Sequence, residues 1–165
     1  MVRILMHGCG GRMGRMIAEL LENDDKAGIV AGVDAVGCEG ALFPVFGDIA
    51  DCDVEADVVI DFSNARAADH LLEVCVERGL PVVLCTTGLS GEQQERMREA
   101  GKKIAVLKSA NMSLGINLLM KLLKEITPVL AEAGFDIEIV EKHHNQKLDA
   151  PSGTALAWRI PSMRL

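Results

Sequence analysis

Short apolar runs alternate along this chain with longer stretches in which apolar residues recur every three or four positions. The short runs are rich in β-branched residues and have the length of buried strands; they cover residues 2–6, 28–34, 58–61, 81–85 and 104–107. The longer stretches predict helices over residues 11–23, 64–78 and 90–100, with Ser90 and Gln93 as a capping box for the third. Apolar strands that alternate strictly with helices predict a mostly parallel, doubly wound α/β sheet.

The pattern changes after residue 111. A long helical stretch over residues 114–133 precedes Gly134, which should end it, and Pro128 predicts a kink because proline has no backbone donor. Residues 136–140 then alternate polar and apolar, as in a strand with one solvated face. A last helix is expected from about Ser152, cut short by Pro161. We therefore predict one domain over residues 1–111 and the start of a second, α+β domain over residues 112–165.

Composition excludes several classes of function. A net charge of −7 and a pI near 5.1 argue against nucleic-acid binding, which needs a basic surface. The five cysteines form no Cys-x-x-Cys pair, so neither a disulfide framework nor a zinc site is expected. No run of about 18 apolar residues predicts a membrane span. The composition favours a cytoplasmic protein with no metal and no membrane partner.

A glycine-rich turn joins the first strand to the first helix. The sequence Gly-Cys-Gly-Gly-Arg-Met-Gly spans residues 8–14, and amides at the start of a helix can face a pyrophosphate. The spacing departs from G-x-G-x-x-G, although Gly8 and Gly10 supply its first half. Asp34 closes the second strand 20 residues after Gly14, where an acidic residue accepts hydrogen bonds from the adenosine ribose. The turn and Asp34 together predict a Rossmann-like dinucleotide-binding domain.

The residues around Asp34 bear on which dinucleotide binds. Ala35 and Val36 follow it, so no neighbouring arginine pairs with a 2′-phosphate, which the carboxylate itself would repel. The sequence therefore favours NADH over NADPH. Arg12 and Arg15 lie in or just after the turn and leave NADPH open.

A second informative segment, residues 141–154, reads Glu-Lys-His-His-Asn-Gln-Lys-Leu-Asp-Ala-Pro-Ser-Gly-Thr. His143, His144 and Lys147 concentrate protonatable groups that can hold a carboxylate and deliver a proton. Gly153 and Thr154 open a helix, so their amides predict a second anion site. Two anion sites suit a dicarboxylate. The alternative is a solvated loop followed by an ordinary helix cap.

Five motifs together resemble dihydrodipicolinate reductase. They are the glycine-rich turn, Asp-Phe-Ser at 61–63, Thr-Thr-Gly at 86–88, Ser-Ala-Asn at 109–111 and the histidine segment, whose His-His-x-x-Lys-x-Asp-Ala-Pro-Ser-Gly-Thr is the most specific. The resemblance implies an NAD(P)H-dependent oxidoreductase of diaminopimelate and lysine biosynthesis, which reduces 4-hydroxy-tetrahydrodipicolinate, a small cyclic dicarboxylate, to tetrahydrodipicolinate.

The resemblance also assigns roles to residues. His143 would be the catalytic proton donor or acceptor and Lys147 a second proton donor. His144, Gly153 and Thr154 would bind the substrate carboxylates. The expected cofactor-binding residues are Gly8, Cys9, Gly10, Gly11, Arg12, Met13, Asp34, Cys85, Thr86, Thr87, Ser109, Ala110, Asn111 and Met112. The segment from Ser109 to Met112, with Thr86 and Thr87, would border the nicotinamide.

The chain departs from the family in length, because family members continue beyond this point. Residues 159–165 match no family motif, and we expect an incomplete second domain and doubt the homotetramer of the family for this chain. Three alternatives stay open: a dehydrogenase of an amino acid or sugar acid, which the histidine segment argues against; a nucleotide-binding remnant without activity; and a metal site. The four histidines, His7, His70, His143 and His144, have no pair at ligand spacing beyond the adjacent two, which disfavours the metal site.

Overall fold

Residues 1–109, 111–143, 145 and 150–158 are described by the computed structural model. The chain divides into two units, Met1–Ser109 and Ala110–Leu165. The division falls two residues before the predicted boundary.

The first unit is built on one six-stranded sheet in which every neighbouring pair is parallel. Its strands are β1 (Val2–His7), β2 (Ala27–Val33), β3 (Val45–Phe46), β4 (Val58–Asp61), β5 (Val82–Leu84) and β6 (Val106–Lys108). Their order is β3-β2-β1-β4-β5-β6, which confirms the predicted doubly wound Rossmann-like fold. The prediction omitted β3, because a two-residue strand carries too little pattern to be seen in sequence.

Three helices connect these strands: α1 (Arg12–Leu21), α2 (Ala68–Arg78) and α3 (Gly91–Ala100). The chain moves from β1 toward one edge of the sheet and from β4 toward the other. Right-handed crossovers therefore put α1 on one face and α2 and α3 on the opposite face. The predicted capping box at α3 is confirmed, since the Gln93 amide donates to Ser90 Oγ at 3.2 Å and the Ser90 amide donates to Gln93 Oε1 at 3.0 Å.

The core of this unit lies between the sheet and its helices. Leu5, Val59 and Leu84 on the three central strands are each 1% exposed or less, and Leu71 of α2 is fully buried beside them. One fully buried residue is charged: Asp61, the last residue of β4. This carboxylate is therefore buried at the carboxyl edge of the sheet.

The second unit contains two described helices, α4 (Leu114–Glu132) and α5 (Gly153–Trp158). Pro128 lies within α4, and Gly134 follows the helix with a φ of +86°, so the predicted end is confirmed. The predicted strand over residues 136–140 is wrong, because only an isolated bridge at residue 138 forms there within the described part of the chain. Across the same described residues, no helix is long and apolar enough to cross a membrane.

Candidate functional site

The glycine-rich turn packs so closely that three of its glycines have no room for a side chain. Gly8 has a φ of +82°, a region that favours glycine, and its Cβ would lie 2.8 Å from the backbone carbon of Phe62. A Cβ at Gly10 would lie 2.5 Å from the carbonyl oxygen of Gly37, and one at Gly14 would lie 2.3 Å from that of Gly8. The glycines therefore allow β1, α1 and the loop after β2 to approach one another.

The amides of the turn are mostly used within the protein, which refines the sequence interpretation. The amides of Gly8 and Cys9 both donate to the carbonyl oxygen of Val33, at 2.8 and 3.3 Å. The Gly10 amide donates to Asp34 Oδ2 at 2.9 Å, and the Gly11 amide donates to the carbonyl oxygen of Gly8 at 3.2 Å. By contrast, the amides of Arg12 and Met13, which open α1, have no acceptor among the described residues. No acidic residue stands in this first turn. An anion such as a pyrophosphate fits at the start of α1 rather than around the glycines.

Asp34 lies beside this helix start with capacity to bind a ligand. Its Oδ2 accepts the Gly10 amide at 2.9 Å and its Oδ1 accepts the Val36 amide at 3.1 Å. A carboxylate has about four acceptor sites, so two remain for the hydroxyls of a ribose. Arg15 is close by, because its Nε donates to the carbonyl oxygen of Gly10 at 3.0 Å.

Cys9 can contact a cofactor only through its backbone. The residue is 1% exposed, and burial, together with the neighbouring Cys38 and Asp34, raises the pKa of its thiol to about 12. Its sulfur packs under Gly32 of β2, where a Cβ would lie 2.6 Å from it. The family resemblance implied a cofactor role for Cys9 without distinguishing its side chain from its main chain.

A buried polar cluster lies at the carboxyl ends of β1, β4 and β5, and we call it the Asp61 network: His7, Asp61, Ser63 and Thr86. Asp61 Oδ1 lies 2.8 Å from His7 Nδ1 and accepts Ser63 Oγ at 2.6 Å, while Asp61 Oδ2 accepts Thr86 Oγ1 at 2.6 Å. Burial alone would raise the pKa of Asp61, but these hydrogen bonds hold that pKa below its ordinary value. Since the ionised carboxylate only accepts, His7 Nδ1 carries the proton in their hydrogen bond.

The Thr-Thr-Gly motif is divided by this network. Thr86 is 3% exposed and turned toward Asp61, Cys85 is 7% exposed, and Thr87 lies on the surface. Lys108, at the end of β6, donates from Nζ to the carbonyl oxygen of Thr86 at 2.5 Å. Sequence reasoning missed His7 and Lys108. Their signal was a polar residue at the end of an otherwise apolar strand.

In the second unit, Glu141 joins the histidine segment to the start of α5. Its Oε1 accepts the Ser152 amide at 2.8 Å, and its Oε2 lies 3.5 Å from His143 Nδ1. Ser152 is buried and caps α5 by accepting the Ala155 amide at 3.0 Å. His143 keeps 40% of its side chain exposed, so it remains available to a ligand.

Other predicted residues of the second unit have identified places or lie outside the described part. Asn111 Nδ2 donates to Thr154 Oγ1 at 3.2 Å, so Asn111 contacts the first turn of α5. Met112 is about half exposed. Three predicted site residues lie outside the described residues: Ala110, His144 and Lys147. The ligand roles of all the predicted residues stay predictions.

Comparison with known families gives two matches that together cover most of the chain. The model for the N-terminus of dihydrodipicolinate reductase matches residues 2–112. The model for the C-terminus of the same family matches residues 115–159. The two matches meet between residues 112 and 115, next to residue 111, after which the alternation of strands and helices ends.

Individual relatives agree with these matches. A 4-hydroxy-tetrahydrodipicolinate reductase of Clostridium novyi is 51% identical over 156 residues, which are 94% of this chain and 62% of that protein. The solved dipicolinate-bound dihydrodipicolinate reductase of Paenisporosarcina sp. TG-14 aligns with a TM-score of 0.74 at 29% identity, over 96% of this chain and 64% of that one. The WlbA dehydrogenase of Bordetella pertussis, solved with NADH, has a TM-score of 0.60 at 16% identity over 83% of this chain and 42% of its own, and shows the fold alone. The chain thus spans about three fifths of the length of the curated relatives it matches.

Proposed function

The chain belongs to the dihydrodipicolinate reductase family, and from this we propose that it acts in the NAD(P)H-dependent reduction of 4-hydroxy-tetrahydrodipicolinate to tetrahydrodipicolinate in diaminopimelate and lysine biosynthesis. The observation that carries the proposal is that both family matches lie on one chain, together with the histidine segment. The segment separates this reaction from that of other dehydrogenases, which share the sheet and the glycine-rich turn but not this run of residues.

The first unit would hold the cofactor. The open amides of Arg12 and Met13 would bind the pyrophosphate at the start of α1, and the remaining acceptor sites of Asp34 would bind the adenosine ribose. The carboxyl ends of the strands, where ligands bind in open α/β sheets, carry the Thr-Thr-Gly motif. When bound, the reduced nicotinamide supplies the hydride.

The second unit would supply charge and protons. The 4-hydroxyl of the substrate leaves as water, with a proton from the adjacent ring carbon, and this gives the conjugated imine. Delivery of a hydride to a ring carbon of that imine leaves negative charge that a proton must quench, and His143 and Lys147 are the proposed donors. His144, Gly153 and Thr154 would hold the substrate carboxylates. Glu141 supports this arrangement, because it binds the Ser152 amide before α5 and stands beside His143.

The proposal predicts that NADH and a dicarboxylate bind cooperatively. In a fluorescence titration, NADH should bind to the protein in the absence of a second ligand. Pyridine-2,6-dicarboxylate is a planar mimic of the substrate that cannot be reduced. It should lower the dissociation constant of NADH about 5- to 150-fold, the usual range of coupling between two sites. Benzene-1,4-dicarboxylate, with the same charges at the wrong spacing, is the control. If neither dicarboxylate tightens NADH binding, the protein binds a dinucleotide but not this substrate, and the proposed reaction is contradicted.

We also propose that the cofactor preference favours NADH and that Asp34 sets it. The carboxylate accepts hydrogen bonds from a ribose but repels a 2′-phosphate. Asp34→Ala should weaken NADH binding by roughly 10- to 100-fold, because the loss of one hydrogen bond to a charged group costs about 1.5–3 kcal/mol. It should weaken NADPH binding less.

The informative quantity is the ratio of the two dissociation constants, since loss of the Gly10 and Val36 contacts affects both cofactors alike. Arg15→Ala is the companion variant. It should weaken NADPH more than NADH if this arginine offsets the carboxylate. An unchanged NADH to NADPH ratio in Asp34→Ala would show that Asp34 does not set the preference.

A further inference from the structure

Three members of the Asp61 network, His7, Asp61 and Ser63, have no role in the function proposed so far, and Thr86 has only an expected place beside the nicotinamide. Asp61 is fully buried and Thr86 is 3% exposed, so neither side chain reaches a ligand directly. A buried charge with several partners is costly to desolvate, and well-packed apolar residues of similar volume often stabilise a fold as well or better. Stability alone therefore does not account for the ionised group at this position.

The position of the network is specific. His7 and Asp61 are register partners at the last positions of β1 and β4. These two strands are where the strand order reverses direction, the point at which ligands bind in doubly wound sheets. The half built on β1, β2 and β3 carries the glycine-rich turn and Asp34, so the half built on β4, β5 and β6 faces the other end of a bound dinucleotide.

The network also fixes the backbone of the loop after β5. The Thr86 hydroxyl donates to Asp61 Oδ2 at 2.6 Å. Lys108, on the neighbouring strand β6, donates from Nζ to the Thr86 carbonyl oxygen at 2.5 Å. Thr86 is thus held from two sides, and exposed Thr87 and Gly88, with a φ of +74°, follow it directly. Burial lowers the pKa of Lys108, because the ammonium group at this carbonyl oxygen is partly removed from water.

We propose that Asp61, acting through the Thr86 hydroxyl, is a positioning residue that orders the nicotinamide end of the bound cofactor. The inference rests on the proposed NAD(P)H function and assigns cofactor affinity and cofactor orientation to different residues. The start of α1 and Asp34 supply most of the affinity, whereas the Asp61 network sets the orientation of the nicotinamide. Orientation of the reacting groups is a large part of enzymatic rate, and small misplacements cost much.

The experiment compares Thr86→Val with Thr86→Ser in the full chain. Valine keeps the shape of threonine but has no hydroxyl, whereas serine keeps the hydroxyl and loses the methyl group. One NADH titration gives two quantities: the dissociation constant, and the fluorescence lifetime and anisotropy of the bound nicotinamide. For Thr86→Val we expect a dissociation constant within about threefold of the unchanged protein, with lifetime and anisotropy shifted toward those of free NADH. Thr86→Ser should behave as the unchanged protein does.

Two results overturn the inference. One is a bound nicotinamide in Thr86→Val with the lifetime and anisotropy of the unchanged protein. The other is a loss of order in Thr86→Ser as large as that in Thr86→Val, which would assign the effect to methyl packing. If the unchanged protein binds no NADH, the proposed function fails first, and that result is distinct from any difference between variants.

A second variant covers the case in which Thr86→Val does not fold. Asp61→Asn keeps the size of the side chain but replaces one acceptor oxygen with a donor, so it cannot accept from both His7 and Thr86. Circular dichroism checks its fold. A folded Asp61→Asn with a fully ordered nicotinamide contradicts the proposal in the same way.

Discussion

Replacing Gly14 with alanine is expected to abolish measurable NADH binding and to lower the free energy of unfolding of the first unit by about 2–4 kcal/mol. The added Cβ would lie 2.3 Å from the carbonyl oxygen of Gly8 and 2.6 Å from the Cα of Cys9, which is closer than real Cβ contacts come. Both neighbours are backbone, so they cannot swing aside. Relief requires α1 to move away from β1, and the amides at the start of the helix move with it.

Thermal denaturation and NADH titration measure the two effects. Gly91→Ala is the matched control, because Gly91 also lies in a first helical turn but a Cβ there meets nothing within 4 Å. The free energy of unfolding of Gly91→Ala should be unchanged or slightly higher, because alanine loses less conformational entropy than glycine when the helix forms. Equal effects of Gly14→Ala and Gly91→Ala would contradict the interpretation that close packing is the reason for glycine at position 14.

The second large effect is expected at His143. If this histidine moves the proton that the reduction requires, His143→Asn should lower kcat by about 10²- to 10⁴-fold, the usual contribution of general acid–base catalysis. NADH affinity should not change, because His143 is not among the expected cofactor-binding residues. Unlike Gly14→Ala, this substitution should leave stability nearly unaffected, since the side chain is 40% exposed.

The decrease of NADH absorbance with freshly generated substrate gives kcat, and fluorescence titration gives the affinity. His70→Asn serves as the control. His70 is also an exposed histidine beside a carboxylate, with its Nε2 2.7 Å from Asp48 Oδ1, but it lies on α2. Its kcat should stay within about twofold of the unchanged protein. Retained turnover in His143→Asn would remove His143 from the proposed chemistry.

Local rules were enough to predict the main elements of the first unit. Buried parallel strands are apolar on both faces, so β1, β4 and β5 stand out as short apolar runs between helical patterns. The capping box at Ser90 is a local exchange of two hydrogen bonds, which is why two residues three positions apart predicted it. The strand expected over residues 136–140 failed because pairing is not local, and alternation alone names no partner.

The candidate site was predictable to the extent that it depends on consecutive residues. The turn from Gly8 to Gly14 and the spacing to Asp34 are of that kind. The Asp61 network is not, since His7 and Thr86 are 54 and 25 residues away from Asp61 in sequence. The motifs at 61–63 and 86–88 supported the family resemblance without indicating that their side chains bond to each other.

The strand order has a consequence for how the chain acquires its fold during synthesis. β1 is one of the two central strands and is synthesised before the other strands of the sheet, but its pairing with β4 joins residues such as His7 and Asp61, which are 54 positions apart. At about 5–20 residues per second, translation takes roughly 3–11 s to supply that partner. During this interval the edge of β1 that β4 will cover stays open, and no hairpin exists in the first unit to nucleate folding locally, since all of its strand pairs are parallel. The parallel arrangement that brings the carboxyl ends of the strands to one edge therefore delays folding until the second half of the sheet has been synthesised.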